Sequence, residues 1–184
     1  LDSIQQFSEK LGVPLVFHDA PLSNNKGLPF STLTEIMRLK HVAGIKVHAS
    51  DPCAMQSIYQ AFADGKFCFD GFGKTIQFWS LVWGARARHT CWSWFDSPSD
   101  QEFYEAVRTG DLTGATTIVN REWDLANAIK RTGFGGYKEI MRLERLANNN
   151  LTREPGLMVS ADDAKTLQVT YKEYRLSVAE NSST

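Results

Sequence analysis

The sequence has few cysteines, little net charge and only short apolar runs. These absences argue against several common classes of protein. Its three cysteines, Cys53, Cys68 and Cys91, are scattered and form no CxxC pair, so neither a disulfide framework nor a zinc site follows. A membrane-spanning helix needs a run of about 18 apolar residues, and none occurs. The formal net charge of −1 gives no reason to expect a nucleic-acid partner. We therefore expect a cytoplasmic protein, in a reducing setting, with no membrane and no nucleic-acid partner.

The sequence does contain four short apolar runs, each followed by a helical pattern. Hydrophobic residues make up 42% of the chain, which is enough for a globular core. The runs at 13–18, 42–47, 66–69 and 87–91 are typical of buried parallel strands, although the last is less apolar than the others. Gly12 ends the first helical pattern, Ser31 is a candidate N-cap, and Ser50-Asp51-Pro52 is a good helix start. Beyond residue 100 the pattern is helical, at 100–108, 112–131, 136–147 and 161–178.

Four strand–helix units in succession predict an α/β fold with a parallel sheet and right-handed crossovers. An open, doubly wound sheet would carry a glycine-rich phosphate turn after its first strand, and this chain has none there. A (β/α)8 TIM barrel typically needs about 250 residues, so four units make the C-terminal half of one. Because half a barrel leaves strand edges unpaired, we expect four earlier units in the same protein. We predict that residues 1–133 form this half-barrel and that 134–184 form a C-terminal helical extension.

Two polar residues occupy the carboxyl ends of consecutive predicted strands, where barrels of this kind place their active sites. His18 ends the first strand and Lys46 ends the second. Side chains alternate along a strand, so Val42, Gly44 and Lys46 are expected on one face, with His18 facing the same cavity. Gly44 would then leave room for the stem of the lysine.

A lysine in an apolar strand is costly to bury as a cation, so burial favours the neutral amine. A neutral amine attacks a ketone to form an imine, which serves as an electron sink when a neighbouring bond breaks. His18 would move protons in this sequence, because an imidazole titrates near neutrality. The competing interpretation of Lys46 is a solvated side chain at a strand end. His41 and His48 have the wrong parity for the pocket, and we expect them at the surface or in loops.

Several segments also match longer motifs in a fixed order. Residues 13–21, VPLVFHDAP, resemble a strand motif that begins with V-P and ends in Y-N-x-P, with His-Asp in place of Y-N. Residues 42–46, VAGIK, resemble a strand motif that ends in G-I-K. Further matches follow at 69–73, 84–90, 107–111 and 136–138. Together they resemble the dihydrodipicolinate synthase and N-acetylneuraminate lyase family over nearly the whole chain. The resemblance implies that Lys46 is the lysine that forms the Schiff base.

The chain departs from this family at several positions. The proton-relay tyrosine falls on His18, so the relay is altered or rerouted. The arginine that grips an aldehyde substrate in the synthase branch falls on Ser23, which argues against dihydrodipicolinate synthesis itself. The S-G-D-D turn of the family survives only as Gly71. The threonine pair that binds the keto-acid carboxylate would lie in the half of the barrel before Leu1.

The end of the last predicted strand is rich in cationic and aromatic residues. Either Arg88 or His89 takes the pocket position there, and we favour His89. Trp92 and Trp94 would either give the pocket flat walls or pack under the following helix. The arrangement suits a ligand with a carboxylate or an aromatic ring.

The sequence therefore predicts a Schiff-base lyase, an aldolase or a dehydratase, that acts on a pyruvate-type 2-keto acid or a sugar acid through Lys46. His18 would help to move protons, and Gly71 and His89 would line the substrate pocket. This chemistry needs neither a cofactor nor a metal ion. The family resemblance implies a homodimer or homotetramer. An alternative is a non-catalytic relative that binds a keto acid or serves as a structural subunit, which the altered positions would explain.

Overall fold

A computed structural model describes residues 2–20, 27–48, 51–71, 73–153 and 158–181. The chain divides into two compact units, Leu1–Thr90 and Cys91–Thr184. The predicted boundary at 133/134 lies inside the second unit, where Gly133 breaks a long helix with φ 59° and ψ −143°. The proposed division into a half-barrel (1–133) and a helical extension (134–184) therefore stays a prediction.

The first unit contains a four-stranded parallel sheet with the strand order β1-β2-β3-β4. The strands are β1 (Leu15–Asp19), β2 (Val42–Val47), β3 (Phe67–Asp70) and β4 (Ala87–Arg88). The helices of this unit are α1 (Asp2–Leu11), α2 (Phe30–Arg38), α3 (Pro52–Phe62) and α4 (Lys74–Val82). Sequential strands that pair in parallel through helical crossovers are the repeating unit of an α/β fold. The predicted succession of strand–helix units is confirmed.

Local signals explain where α1 ends and where α3 begins. Gly12 has a φ of 62°, a conformation that glycine adopts without strain, and α1 ends just before it. The carboxylate of Asp51 accepts hydrogen bonds from two backbone N–H groups in the first turn of α3, and Pro52 occupies the first helical position. The prediction of Ser31 as an N-cap is wrong, because α2 begins at Phe30 and Pro29 takes the cap position, two residues earlier than predicted.

The helices pack against one face of the sheet and leave the other face open. The core between sheet and helices draws its apolar side chains from α2, α3 and strands β2 and β3. Burial of this apolar surface is the main favourable term that holds the first unit together. The buried members of this core are Leu33, Ile36, Met37, Val42, Ile45, Val47, Met55, Ile58, Tyr59, Cys68 and Ala85.

A bulge in β2 changes which of its residues face the helices. Leu15 pairs with Val42 and Val16 pairs with Gly44, so Ala43 is an extra residue without a partner in β1. An extra residue reverses the alternation of side chains at that point. Val42 therefore lies in the helix-facing core, and its predicted position on the face of Gly44 and the lysine is wrong.

Gly44 allows the close approach of the neighbouring strand β3. A Cβ added at Gly44 would lie 2.0 Å from the backbone carbonyl oxygen of Phe67, in the neighbouring strand. Backbone atoms of a paired strand cannot move aside as a flexible side chain does. The expected role of Gly44 in accommodating Lys46 stays a prediction.

The second unit is helical, as the sequence predicts. A single 3-10 turn (Trp92–Trp94) leads into α5 (Ser97–Thr109), α6 (Leu112–Leu143) and α7 (Ala161–Asn181). Its buried apolar core comprises Trp92, Phe95, Leu125, Ala128, Ile129, Ile140, Leu167, Tyr171 and Tyr174. The buried carboxylate of Glu139 accepts hydrogen bonds from Arg142, Asn150 and Gln168, which satisfies its charge inside the unit. Within the described ranges, no helix has the length and apolar character that crossing a membrane requires.

We predict that Gly44→Ala destabilises the protein by about 2 kcal/mol, because the added methyl group overlaps the backbone of β3. The matched control is Gly65→Ala, since a Cβ at Gly65 meets no atom within 4 Å. The control is expected to stay within about 0.5 kcal/mol of the unsubstituted protein. Urea denaturation of both variants measures the difference, and equal stability would show that β2 and β3 are not packed this closely.

Candidate active site

Five residues at the carboxyl ends of the strands lie on the face of the sheet that the helices leave open. The neighbouring positions establish this, because Phe17, Ile45, Val47 and Cys68 all pack into the helix-facing core and side chains alternate along a strand. Backbone hydrogen bonds extend the parallel ladder by one residue beyond β2, β3 and β4, to His48, Gly71 and His89. The five residues that come together in this way are His18, Lys46, His48, Gly71 and His89.

The lysine lies between neighbours on both sides. His18 in β1 and Phe69 in β3 are its partners in the sheet register. The side chain of Lys46 leans across β3, where Gly71 offers no side chain to block it. A Cβ at Gly71 would lie 2.4 Å from Cε of Lys46 and 3.4 Å from its Nζ. The absence of a side chain at Gly71 therefore leaves room for the lysine to take this path.

Three imidazoles lie near enough to this lysine for its charge to act on each of them. The rings of His18 and His48 stack at 6.2 Å between centroids, with their planes 15° apart. The backbone N–H of His48 donates to the carbonyl of Asp19 at 2.9 Å, which holds the start of the loop after β2 against the end of β1. His89 approaches from the other side, since it directly follows β4.

The pKa values of His18, His48 and His89 all lie below the usual 6.5. Burial is the largest cause for each ring, because it disfavours the charged form, and the positive charge of Lys46 comes next. The carboxylate of Asp19 acts in the opposite direction on the pKa of His18. At neutral pH these rings are therefore mostly neutral and able to accept protons.

A polar network on the helix side holds the end of β4 in place. Nη1 of Arg88 donates to Oε1 of Gln77 at 2.8 Å, and Nε2 of Gln77 donates to the carbonyl of His89 at 3.0 Å. In the adjacent strand, the Ser80 hydroxyl donates to the buried carboxylate of Asp70 at 2.7 Å. The structure thus directs Arg88 toward the helices and His89 toward the open face, so the two residues have different roles.

The sequence analysis missed His48 because its parity was misjudged. His48 does begin a loop, as expected, but it lies two residues after Lys46 and its ring stacks on that of His18. Counting from Lys46 along an extended strand would have placed both side chains on one face. His41, in contrast, precedes β2, on the far side of the bulge at Ala43.

The two tryptophans that follow β4 belong to the helical unit. Trp92 is 6% exposed and its ring meets that of Tyr174 edge-on, with centroids 5.6 Å apart. Trp94 contacts the ring of Tyr137 at 5.8 Å and is 44% exposed. Of the two arrangements considered, the structure shows packing against the following helices. Ser23, the position of the altered arginine, lies outside the described residues.

The histidines do not form a metal centre. Among the residues that the structure describes, no group of three or more His, Cys, Asp or Glu side chains is arranged to hold a metal ion. The cluster of Lys46 and three imidazoles instead combines a primary amine with several groups that accept and donate protons. This arrangement can support covalent attack by the amine of Lys46, with proton transfer by the neighbouring imidazoles.

Comparison with known proteins assigns the chain to a family. A model of the dihydrodipicolinate synthetase family matches residues 3–174. The chain therefore belongs to this family, whose members are lyases of the dihydrodipicolinate synthase and N-acetylneuraminate lyase type. A comparison of its sequence with curated proteins finds no significant match.

Solved structures show the same fold. A protein of Pseudomonas aeruginosa described as a dihydrodipicolinate synthetase superposes with a TM-score of 0.83 at 20% identity, over 93% of this chain and 59% of that one. An N-acetylneuraminate lyase of Fusobacterium nucleatum, in complex with pyruvate, gives 0.80 at 19% identity, over 94% and 60%. A catalytic-lysine mutant of the Ruminococcus gnavus sialic acid aldolase gives 0.79 at 15% identity, over 91% and 55%. The chain thus spans under two thirds of their length, and its fold is the C-terminal half of a (β/α)8 barrel with further helices.

We predict that Lys46→Met raises the pKa values of His18, His48 and His89. The substitution removes the positive charge that lowers all three, whereas burial remains, so each pKa moves toward 6.5 without reaching it. NMR titration of the imidazole Cε1–H signals measures the change. Lys40→Met, at an exposed turn before β2, is the matched control and is expected to leave these three titrations unchanged. Unaltered histidine titrations in Lys46→Met would place the amine away from the rings.

Proposed function

We propose that the protein is a Schiff-base lyase, an aldolase or a dehydratase, that acts on a pyruvate-type 2-keto acid or a sugar acid through Lys46. The observation that carries the proposal is the position of the amine, which lies against Gly71 and among three imidazoles at the carboxyl ends of the strands. Active sites of (β/α)8 barrels occupy this end of the strands. Membership of a family of lyases supports the same chemistry.

The lysine supplies the nucleophile in this reaction. Its nitrogen adds to the ketone carbon of the substrate, and water leaves once the former carbonyl oxygen has been protonated. The resulting protonated imine accepts the electron pair of a bond that breaks at the neighbouring carbon. An enamine forms, and protonation of its carbon followed by hydrolysis returns the free amine.

The imidazoles supply the proton transfers that these steps need. His18 pairs with Lys46 in the sheet register, so its ring is the nearest acid–base group on β1. Its lowered pKa keeps the ring neutral at pH 7, ready to act as a base. His89 and Gly71 line the other side of the amine, where Gly71 keeps the path of the lysine open and His89 offers a hydrogen-bonding group to the substrate.

The first test is reductive trapping of the imine in the complete protein, with any residues that precede Leu1. We expect borohydride with pyruvate to attach the keto acid irreversibly to Lys46, as located by mass spectrometry of peptides. Lys46→Arg is expected to abolish the adduct, while Lys40→Arg serves as the control and retains it. An unmodified Lys46 in the wild-type protein would contradict the proposal. Trapping without pyruvate release from any candidate sugar acid would instead favour a keto-acid-binding relative without turnover.

The second test concerns the space beside the lysine. We predict that Gly71→Ala lowers the rate of imine trapping at least about tenfold, because its Cβ would lie 2.4 Å from Cε of Lys46 and displace the amine. Gly73→Ala, at the N-cap of α4, is the matched control, since a Cβ there meets no atom within 4 Å. Equal trapping rates in the two variants would show that Gly71 does not set the position of Lys46.

A further inference from the structure

We propose that His48 is a second acid–base residue of this site and forms a pair with His18. The pair carries one proton from a hydroxyl group of the substrate to the enamine carbon. The inference rests on the proposed function, since it deepens the chemistry at Lys46. It assigns a role to a residue that neither the motifs of the chain nor the chemistry described above uses.

The geometry of the pair is the first argument. The rings are nearly parallel, 15° apart, and their centroids are separated by 6.2 Å. The proposal requires one bridging water molecule to carry the proton from a ring nitrogen of one imidazole to that of the other. The pair is also held from both strands, because His18 belongs to β1 and the N–H of His48 donates to the carbonyl of Asp19 at the end of β1. His48 is therefore anchored beside His18 by backbone contacts.

The surrounding charges limit the pair to one proton. Lys46 faces both rings from β2, and its positive charge opposes their protonation. His89, which follows β4, opposes protonation of both rings further, and His18 opposes protonation of His48. The one opposing group is the carboxylate of Asp19, which acts on His18. Two imidazolium rings side by side are thus disfavoured more strongly than a single proton on the pair.

An aldol cleavage shows why two rings serve better than one. One imidazole takes the proton of the hydroxyl group whose carbon–carbon bond breaks. The electron pair of that bond flows into the protonated imine, so an aldehyde leaves and an enamine stays on Lys46. The proton then passes to the second imidazole, which delivers it to the enamine carbon. One proton is removed and one is returned, and both rings end neutral without any further reactant.

The test separates imine formation from proton transfer in the complete protein. Borohydride trapping with pyruvate reports the imine, and exchange of the methyl protons of pyruvate in D2O, followed by NMR, reports the enamine. We expect the rate of imine trapping in His48→Asn to stay within about twofold of the wild-type rate. The rate of proton exchange is expected to fall at least about tenfold, which is less than the full contribution of general acid–base catalysis. His41→Asn, a histidine outside the cluster, is the control and is expected to change neither rate.

Coupling between the rings gives a second, independent readout. If His18 and His48 act as one unit, the double variant loses no more exchange activity than the slower single variant. The pH dependence of exchange is also expected to change in His48→Asn, which a purely structural role would not produce at an unchanged melting temperature. His48→Gln is a second variant for the same measurement. The exchange rates are compared in whichever of the two variants has the melting temperature of the wild type.

Three outcomes would overturn the proposal: exchange in His48→Asn within twofold of the wild type, an equal loss in His41→Asn, or single losses that multiply in the double variant. A wild-type protein that forms no trapped adduct would contradict the proposed lyase function itself. That result is distinct from normal trapping with unaffected exchange, which contradicts only the role of His48.

Discussion

The site depends on the space that Gly71 leaves beside Lys46. A lysine at the end of an inner strand can extend in several directions, and most of them lead to bulk solvent. Here the stem passes directly over the backbone of β3, so close that even a methyl group at position 71 would collide with it. That path brings the amine among the three imidazoles. The chemistry proposed for the site follows from this steric constraint more than from any single hydrogen bond.

The two faces of the sheet have different roles in the proposed site. On the helix side, buried polar contacts tie the strand ends to α4, with Ser80 bonded to Asp70 and Gln77 bonded to both Arg88 and the carbonyl of His89. None of these groups needs to react, and all are satisfied by hydrogen bonds. On the open face, side chains from the same strand ends are left to meet a substrate. A well-bonded helix side therefore gives the reactive side chains a fixed backbone.

The sequence predicted the elements better than their detailed geometry. Apolar runs identify strands buried on a core, and Gly12 and Asp51 carry local backbone signals, so these predictions needed no knowledge of the fold. The bulge at Ala43 leaves no mark in an apolar pattern, because a residue without a partner is defined only by the neighbouring strand. Trp92 could not be assigned to the helical core for a similar reason, since its partners lie about 80 residues further along the chain. Long-range contacts decide such cases.

The histidine at position 18 is better understood together with its neighbours than as one substitution. The family resemblance implies a tyrosine there, whose phenol ordinarily ionises near pH 10, whereas an imidazole ionises near 6.5. Placed beside Lys46, a single imidazole is pushed toward its neutral form, whose remaining ring N–H is a much weaker acid than imidazolium. A second ring at His48 lets a proton accepted from the substrate remain in the site until it is needed. The substitution of a relay tyrosine by histidine is thus compatible with imine chemistry when another imidazole lies beside it.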